Sequence, residues 1–388
     1  MHPDVKFVMM LRELTRDVLI EKTRFDLIPS EEIRLMIPRR QFIGSLAALA
    51  AGGVSHVRAG DWSCAENRPL DWNYDIIEPI PRQGSSRRPV VTGVSLQAGG
   101  DLIAIAGDDH CVSIYDTQKR DFSDSLTEHR DWVRAVKFSP SGKLLATAGN
   151  DRRLNLWNTD QLGEPKFSHE NPKAILDVAF SPDGNQVATV GFETKLRIFD
   201  VTSGKQIVAF DCPSSDNHSV AYSLDGKTIS VGGRSGGIRG WNLDDGRLVF
   251  DQKVHRQRVR SLEFMPDGRL LSVGDDQMIK VTDLLDSARS TQFQRGFSKL
   301  FAAAVLGPNL FATGGSNNNV DIWNIKPKPT HVGSLTKHTG TVSCLEYGNS
   351  KLVSGSFDTF VILWDVKRQE NGSLQRQTQK NGLNQILK

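Results

Sequence analysis

Apolar residues in this chain come in short runs, and several of the runs are near copies of one another. VRAVKFSPSGKLLATAG, ILDVAFSPDGNQVATVG, VAYSLDGKTISVGG and VRSLEFMPDGRLLSVG share one pattern. Each predicts a strand, a tight turn of the Ser-Pro-Asp-Gly kind and a second strand. Proline presets the first turn dihedral, and glycine takes the positive one. FAAAVLGPNLFATGG repeats the pattern around Gly-Pro-Asn, and the last copy turns at Gly-Asn-Ser. Val, Leu, Ile and Phe fall on both faces of these strands. That suits sheets covered on both sides rather than a sheet with one wet face.

A third strand follows each pair. In ATAGNDRRLNLWN, residues 146–158, a strand ends at Gly149, a turn runs through Asn150 and Asp151, and the next strand reaches Trp157. The aromatic in this setting recurs at Tyr115, Trp157, Phe199, Trp241, Trp323 and Trp364, with gaps of 42, 42, 42, 82 and 41. The double gap is filled by Thr282, 41 residues from each neighbour. Seven evenly spaced copies of about 41 residues mean a repeat array.

IYD, LWN, IFD, GWN, VTD, IWN and LWD at these positions resemble the repeat ends of the WD40 family. The resemblance spans residues 74–366, about three quarters of the chain. It implies an all-β fold: a single seven-bladed β-propeller with four antiparallel strands per blade. In such a ring the first strand of the chain completes the last blade, and YDIIEPI, 74–80, lies where that strand belongs. Closure matters because an open array leaves unpaired edges.

The resemblance also implies a buried His, Ser/Thr, Asp and Trp tetrad in each blade. Repeat two supplies His129, Thr147, Asp151 and Trp157, and repeat seven His338, Ser354, Asp358 and Trp364. The other sets are partial: Asp109 and Tyr115; His169, Thr189, Glu193 and Phe199; Trp241; His255, Ser272 and Asp276; Thr313, Asn317 and Trp323. Repeats one, four and six lack the upstream histidine and are expected to rely on packing. Indole donates one hydrogen bond, a hydroxyl accepts and donates, and imidazole links it to a carboxylate. Breaking one link leaves a buried group unpaired, at roughly 1–3 kcal/mol.

Composition adds little to this picture. The net charge of +3, with no dominant Lys/Arg run and no aromatic-rich RNA motif, gives no case for nucleic acid. Cys64, Cys111, Cys212 and Cys344 are scattered and form no CxxC pair, so no zinc, dithiol or haem site is proposed.

The N-terminal region stands apart from the repeats. Residues 1–35 include VKFVMMLRELTRDVLIEK, which reads either as a helical extension or as sequence upstream of a start at Met36. MIPRRQFIGSLAALAAGGVSHVRAGD follows. Arg39 and Arg40 precede Phe42, a mildly apolar run reaches Val54, and Val57-Arg58-Ala59 ends it. Residues 36–59 thus resemble a bacterial twin-arginine export signal, with Val57-Arg58-Ala59 at the positions a signal peptidase would read and with Pro38 and Gly44 as departures. The apolar run is too short for a membrane span, which needs about 20 residues. No Leu stands three before Cys64, against a lipid anchor. Residues 60–73 read as a linker and 367–388, rich in Gln, Asn and Lys, as a disordered tail.

No catalytic constellation emerges. GGRSGG and TGGSNNN lie between strands rather than before a helix, so they are not phosphate loops. The histidines sit mainly at tetrad positions. In Asp108–Asp109 and Asp275–Asp276 the second residue is the tetrad acid and the first faces the turn. No cofactor or metal is expected. Propellers of this family bind partners on the narrower top face. Here that face offers Arg130, Trp132, Asn150, Phe192, Arg234, Arg258, Asp275 and Phe357. Trp, Phe and Arg dominate interface energetics when desolvated. The expected function is a non-catalytic platform for one or more protein partners, exported to the periplasm. The alternatives are an enzyme or cofactor binder using the central channel, marked by convergent polar side chains there, and a cytoplasmic scaffold.

Overall fold

The computed structural model describes residues 70, 72–82, 84–294 and 296–366. The leader-like segment, the residues before it and the tail after Val366 lie outside them. Among the described residues, 28 strands, β1 to β28 in chain order, form seven four-stranded antiparallel sheets. Six sheets take four consecutive strands each, as in β2-β3-β4-β5, inner to outer. The seventh has the order β1-β28-β27-β26. There β1 (Tyr74–Ile77) pairs antiparallel with β28 (Val361–Asp365), with Tyr74 opposite Trp364 and Ile77 opposite Val361. The ring is closed by the start of the propeller segment, where the sequence places it.

Inner strands of successive sheets pack side by side, so the core lies between blades. Leu145 and Trp157 from one blade pack with Ala104, Val112 and Ile114 from the one before. This is why the strands are apolar on both faces: each blade is a filling between two neighbours. In six of the seven blades the second strand ends in a glycine, because nothing larger fits. A Cβ on Gly149 would lie 2.3 Å from the Trp132 carbonyl oxygen, and one on Gly191 2.0 Å from that of Ala174. In the first of these approaches the Asn150 N–H donates to the Trp132 carbonyl at 2.9 Å.

The linker expectation for 60–73 fails at its end. Trp72 is buried against Leu306, Leu335 and Trp364, with Leu70 packed beside it. The Leu70 N–H donates to the Ser334 carbonyl at 2.8 Å. These residues cover the seam between the sixth and seventh sheets, where burying an indole outweighs the polar character of the stretch around it.

Candidate functional site

Two blades carry the complete tetrad. In the second, the Trp157 indole donates to Thr147 Oγ1 at 3.0 Å. His129 Nε2 lies 2.8 Å from Thr147 Oγ1, and His129 Nδ1 2.9 Å from Asp151 Oδ2. With the imidazole proton on Nδ1, every polar atom in the chain has a partner. Asp151 also accepts from the Arg130 and Arg153 N–H groups, so it ties the loop before the inner strand to the turn. The seventh blade repeats this: Trp364 Nε1 to Ser354 Oγ 2.8 Å, His338 Nε2 to Ser354 Oγ 2.8 Å, and His338 Nδ1 to Asp358 Oδ2 3.0 Å. Burial opposes ionisation of Asp358, but His338 and the Phe360 and Thr339 N–H groups win, taking its carboxyl down to about 2. Asp151 and Asp276 are lowered the same way, against burial, by His129 and His255. In the fifth blade His255 reaches Asp276 and Ser272 at 2.8 Å each, and Thr282 stands where the indole would be.

The remaining blades correct the expectation in detail. His169 is not the tetrad histidine of blade three. Its ring packs 4.6 Å from Phe199, and Asn171 instead donates to Thr189 Oγ1 at 3.3 Å. Glu193 binds Arg197 at 2.9 Å rather than an imidazole. Blades without the upstream histidine do not rest on packing alone. In blade six Trp323 donates to Thr313 Oγ1 at 2.9 Å, and Asn317 donates to Asp321 at 3.0 Å. In blade four Asn217 donates to the Glu193 and Ser214 carbonyls at 2.8 Å, beside Trp241 stacked on Phe210. In blade one Asp109 accepts from the Cys111 N–H at 3.3 Å, and the Tyr115 ring meets Phe122 edge-on.

The central channel holds about 620 Å³. Its mouth comes from a feature the sequence reading missed. Every inner strand has a register shift just after its first residue, in all seven sheets. A bulge leaves one residue unpaired and re-aims its side chain. The skipped residues are Thr92, Arg134, Leu176, His218, Arg260, Phe301 and Ser343, and all line the channel. The signal was present: the second residue of each inner strand breaks the apolar run with an Arg, His, Thr or Ser in five of seven cases.

Charges at this end are mostly matched. Arg260 grips Asp275 through Nε and Nη2 at 2.8 and 3.1 Å, with its guanidinium 4.9 Å from the Phe301 ring centre. Arg258 reaches Asp216 at 3.1 Å and Asp275 at 3.8 Å. Asp216 also meets His218 at 2.8 Å. Arg134 differs: it donates to Asn150 Oδ1 at 2.9 Å and lies 4.8 Å from the Trp132 ring centre.

The eight top-face residues therefore divide. Phe192 and Phe357 are 44% and 38% exposed, and Arg130 and Arg234 are exposed. Trp132 and Asn150 are half-buried and engaged by Arg134. Arg258 is half-buried in its ion pairs. Asp275 does not face solvent at the turn: it is buried beneath Arg260, and Asp108 is likewise buried, accepting from the Val90 N–H at 2.8 Å. Phe297, 90% exposed in the loop before β22 (Leu300–Val305), was overlooked because no repeat position marks it.

Deeper in the channel, Lys137 pairs with Glu346. Glu263 accepts from the Val305 N–H at 2.8 Å, and burial together with Glu346, against Lys137, pushes its carboxyl up to about 7. Asp177 accepts from the Val220 N–H at 2.9 Å and is pushed up by burial to about 6. Ser95 and Ser219 make equivalent bonds to the Phe138 and Leu262 N–H groups at 3.0 Å. Each of these acceptors takes an N–H of the next inner strand, so they stitch neighbouring blades. Among the described residues, no His/Cys/Asp/Glu group is arranged to hold a metal, and no helix is long and apolar enough to cross a membrane. The Cys212 and Cys344 thiols are pushed up to about 12, by burial first, which removes nucleophilic character at neutral pH.

Comparison with known proteins places this geometry. Residues 90–342 match the family model described as the IFT122 first β-propeller, and 329–365 match the WD domain, G-beta repeat. Among curated proteins, the p21-activated protein kinase-interacting protein 1-like of Xenopus laevis is 42% identical over 60 residues, 15% of this chain and 16% of that protein. Its Danio rerio counterpart is 41% identical over 69 residues, 17% of this chain and 18% of that protein. The chain thus aligns with less than a fifth of the length of these relatives. Among solved structures, the β-propeller domain of Cps50 (Swd1) from Myceliophteria thermophila superposes with a TM-score of 0.64 at 18% identity, over 74% of this chain and 99% of that one. With the first family model spanning more than half of its length, the chain belongs to the WD40-repeat β-propeller family, in the group represented by the IFT122 first β-propeller.

Proposed function

We propose that this protein is a non-catalytic interaction platform that holds a protein partner on the channel-mouth face of the propeller. The observation that carries the reading is the exposure of Phe192 and Phe357 at turn tips around the mouth. Exposed rings beside arginines are the side chains that give interfaces most of their energy. The rigid stitched ring below fixes their positions, so little ordering is needed on binding. The double variant Phe192→Ala and Phe357→Ala removes both rings without touching the core. It should lose partner capture while melting as the parent does. Normal capture by a normally folded double variant would overturn the reading.

The second reading is a channel-based binder. It draws on Lys137, Asp177, Glu263 and Glu346, which converge in the channel beyond the tetrads. A small molecule that survives purification and is lost in Glu263→Gln would favour it. Site of action is a separate proposal: the twin-arginine-like residues 36–59 suggest export of a folded propeller. The relatives named above are eukaryotic and lend export no support. A mature N-terminus near Gly60 in an envelope fraction would support it, and a start at Met1 or Met36 in the cytosol would sink it.

A further inference from the structure

Resting on the platform reading, we infer that the channel mouth selects an acidic segment of a partner protein, with a carboxylate seated on Arg134. The bulge that opens β6 (Val133–Phe138) aims this arginine into the channel. One face of its guanidinium lies on Trp132, and its Nε is used by Asn150. Among the described residues, no carboxylate is recorded on it, whereas Arg260 and Arg258 are held by Asp275 and Asp216. Of these three mouth arginines, Arg134 is the one whose guanidinium is held by an amide and a ring rather than by a carboxylate. Burial is the chief influence against its charge and the Arg260 guanidinium adds to it, while the Asp131 and Asp108 carboxylates, neither of them in contact with it, offset only part. An incoming anion relieves that cost, and a guanidinium presents a fork suited to a carboxylate.

The interior decides which anion. Asp177, Glu263 and Glu346 line the channel below the mouth. They repel a dianion that inserts deeply, but a carboxylate held at the rim stays clear of them. A basic segment meets Arg134, Arg234, Arg258 and Arg260 first. The exposed rings of Phe192 and Phe357 add apolar contact, so the fitting segment combines Asp or Glu with an aromatic or aliphatic neighbour.

The test is peptide display against the purified full-length chain. The expected result is enrichment of peptides with Asp or Glu beside an apolar residue. A synthetic copy of the top peptide should bind at least tenfold more weakly to Arg134→Gln, and more weakly to the parent as salt rises. Arg134→Lys guards against a folding defect: it keeps the charge, so it retains the acidic preference at reduced affinity. Neutral or basic peptides that need Phe192 and Phe357 but not Arg134 would overturn this inference and leave the platform reading standing. Peptides indifferent to all of these side chains would overturn both. No enrichment counts against the acidic segment.

Discussion

Single residues decide stability here where they close a polar chain. His129 is buried and joins Thr147 to Asp151, so removing it takes one hydrogen-bond partner from each. His129→Ala should cost about 1–3 kcal/mol in denaturant unfolding. An unchanged midpoint and slope would show that the tetrad is ornamental. The acid limb follows from the same groups. Asp358 has a folded value of about 2 against an ordinary 3.8, so its contribution is present above pH 4 and lost as pH falls through 2. Asp151 and Asp276 shift in the same direction. Glu263 runs the other way: its folded value of about 7 exceeds the ordinary 4.5, so the folded state keeps a proton that the unfolded state releases. Its share of stability falls as pH rises from 4.5 to 7 and is flat above. Glu263→Gln should flatten that limb and gain roughly 1–3 kcal/mol above pH 7. Parallel melting curves for parent and variant between pH 4.5 and 8.5 would contradict the channel electrostatics.

At the scale of elements, how much the sequence reveals depends on what repeats. Strand, turn and strand recur with little change, so seven repeats were readable from spacing, and the resemblance to the WD40 family supplied the four-stranded blades and the closing strand. The glycine that ends the second strand in six of the seven blades belongs to the same logic, because at positions such as Gly149 and Gly191 a neighbouring carbonyl occupies the space of its Cβ. Three things were hidden. Trp72 lies before the first repeat, so no spacing marks it, yet it seals the last seam. Trp72→Ala should destabilise by about 3–5 kcal/mol, read by thermal or denaturant unfolding. The inner-strand bulge is a matter of register: a polar second residue marks the place in five of seven inner strands, but the pattern does not show that the strand skips there. It turns Arg134, His218, Arg260 and Phe301 into a mouth, although a reading by strict alternation leaves their direction open. In blade three, His169 matched the expected spacing, but Asn171 holds the hydroxyl. Two residues of slack in a loop were enough to mislead.

Taken whole, the propeller is a ring whose blades are stitched by side chains accepting from the next inner strand, with polar groups gathered inside and aromatic tips outside. Its rigid parts are repetitive and its distinctive parts are not. The position after the second strand is Asp, Asn, Arg or Ser in five blades and Phe only at Phe192 and Phe357, and of the two bulge arginines Arg134 and Arg260 only the second is held by a carboxylate; function is argued from those departures. The most direct test of the platform claim is site-specific photo-cross-linking in the native cell. A photoreactive phenylalanine analogue at Phe357 reports on the mouth. The same group at Leu224, 63% exposed in the turn at the opposite end of the strands, is the control. The account predicts a discrete protein adduct from position 357 and none from 224. Adducts from 224 alone, or none from 357 in a normally folded protein, would contradict it.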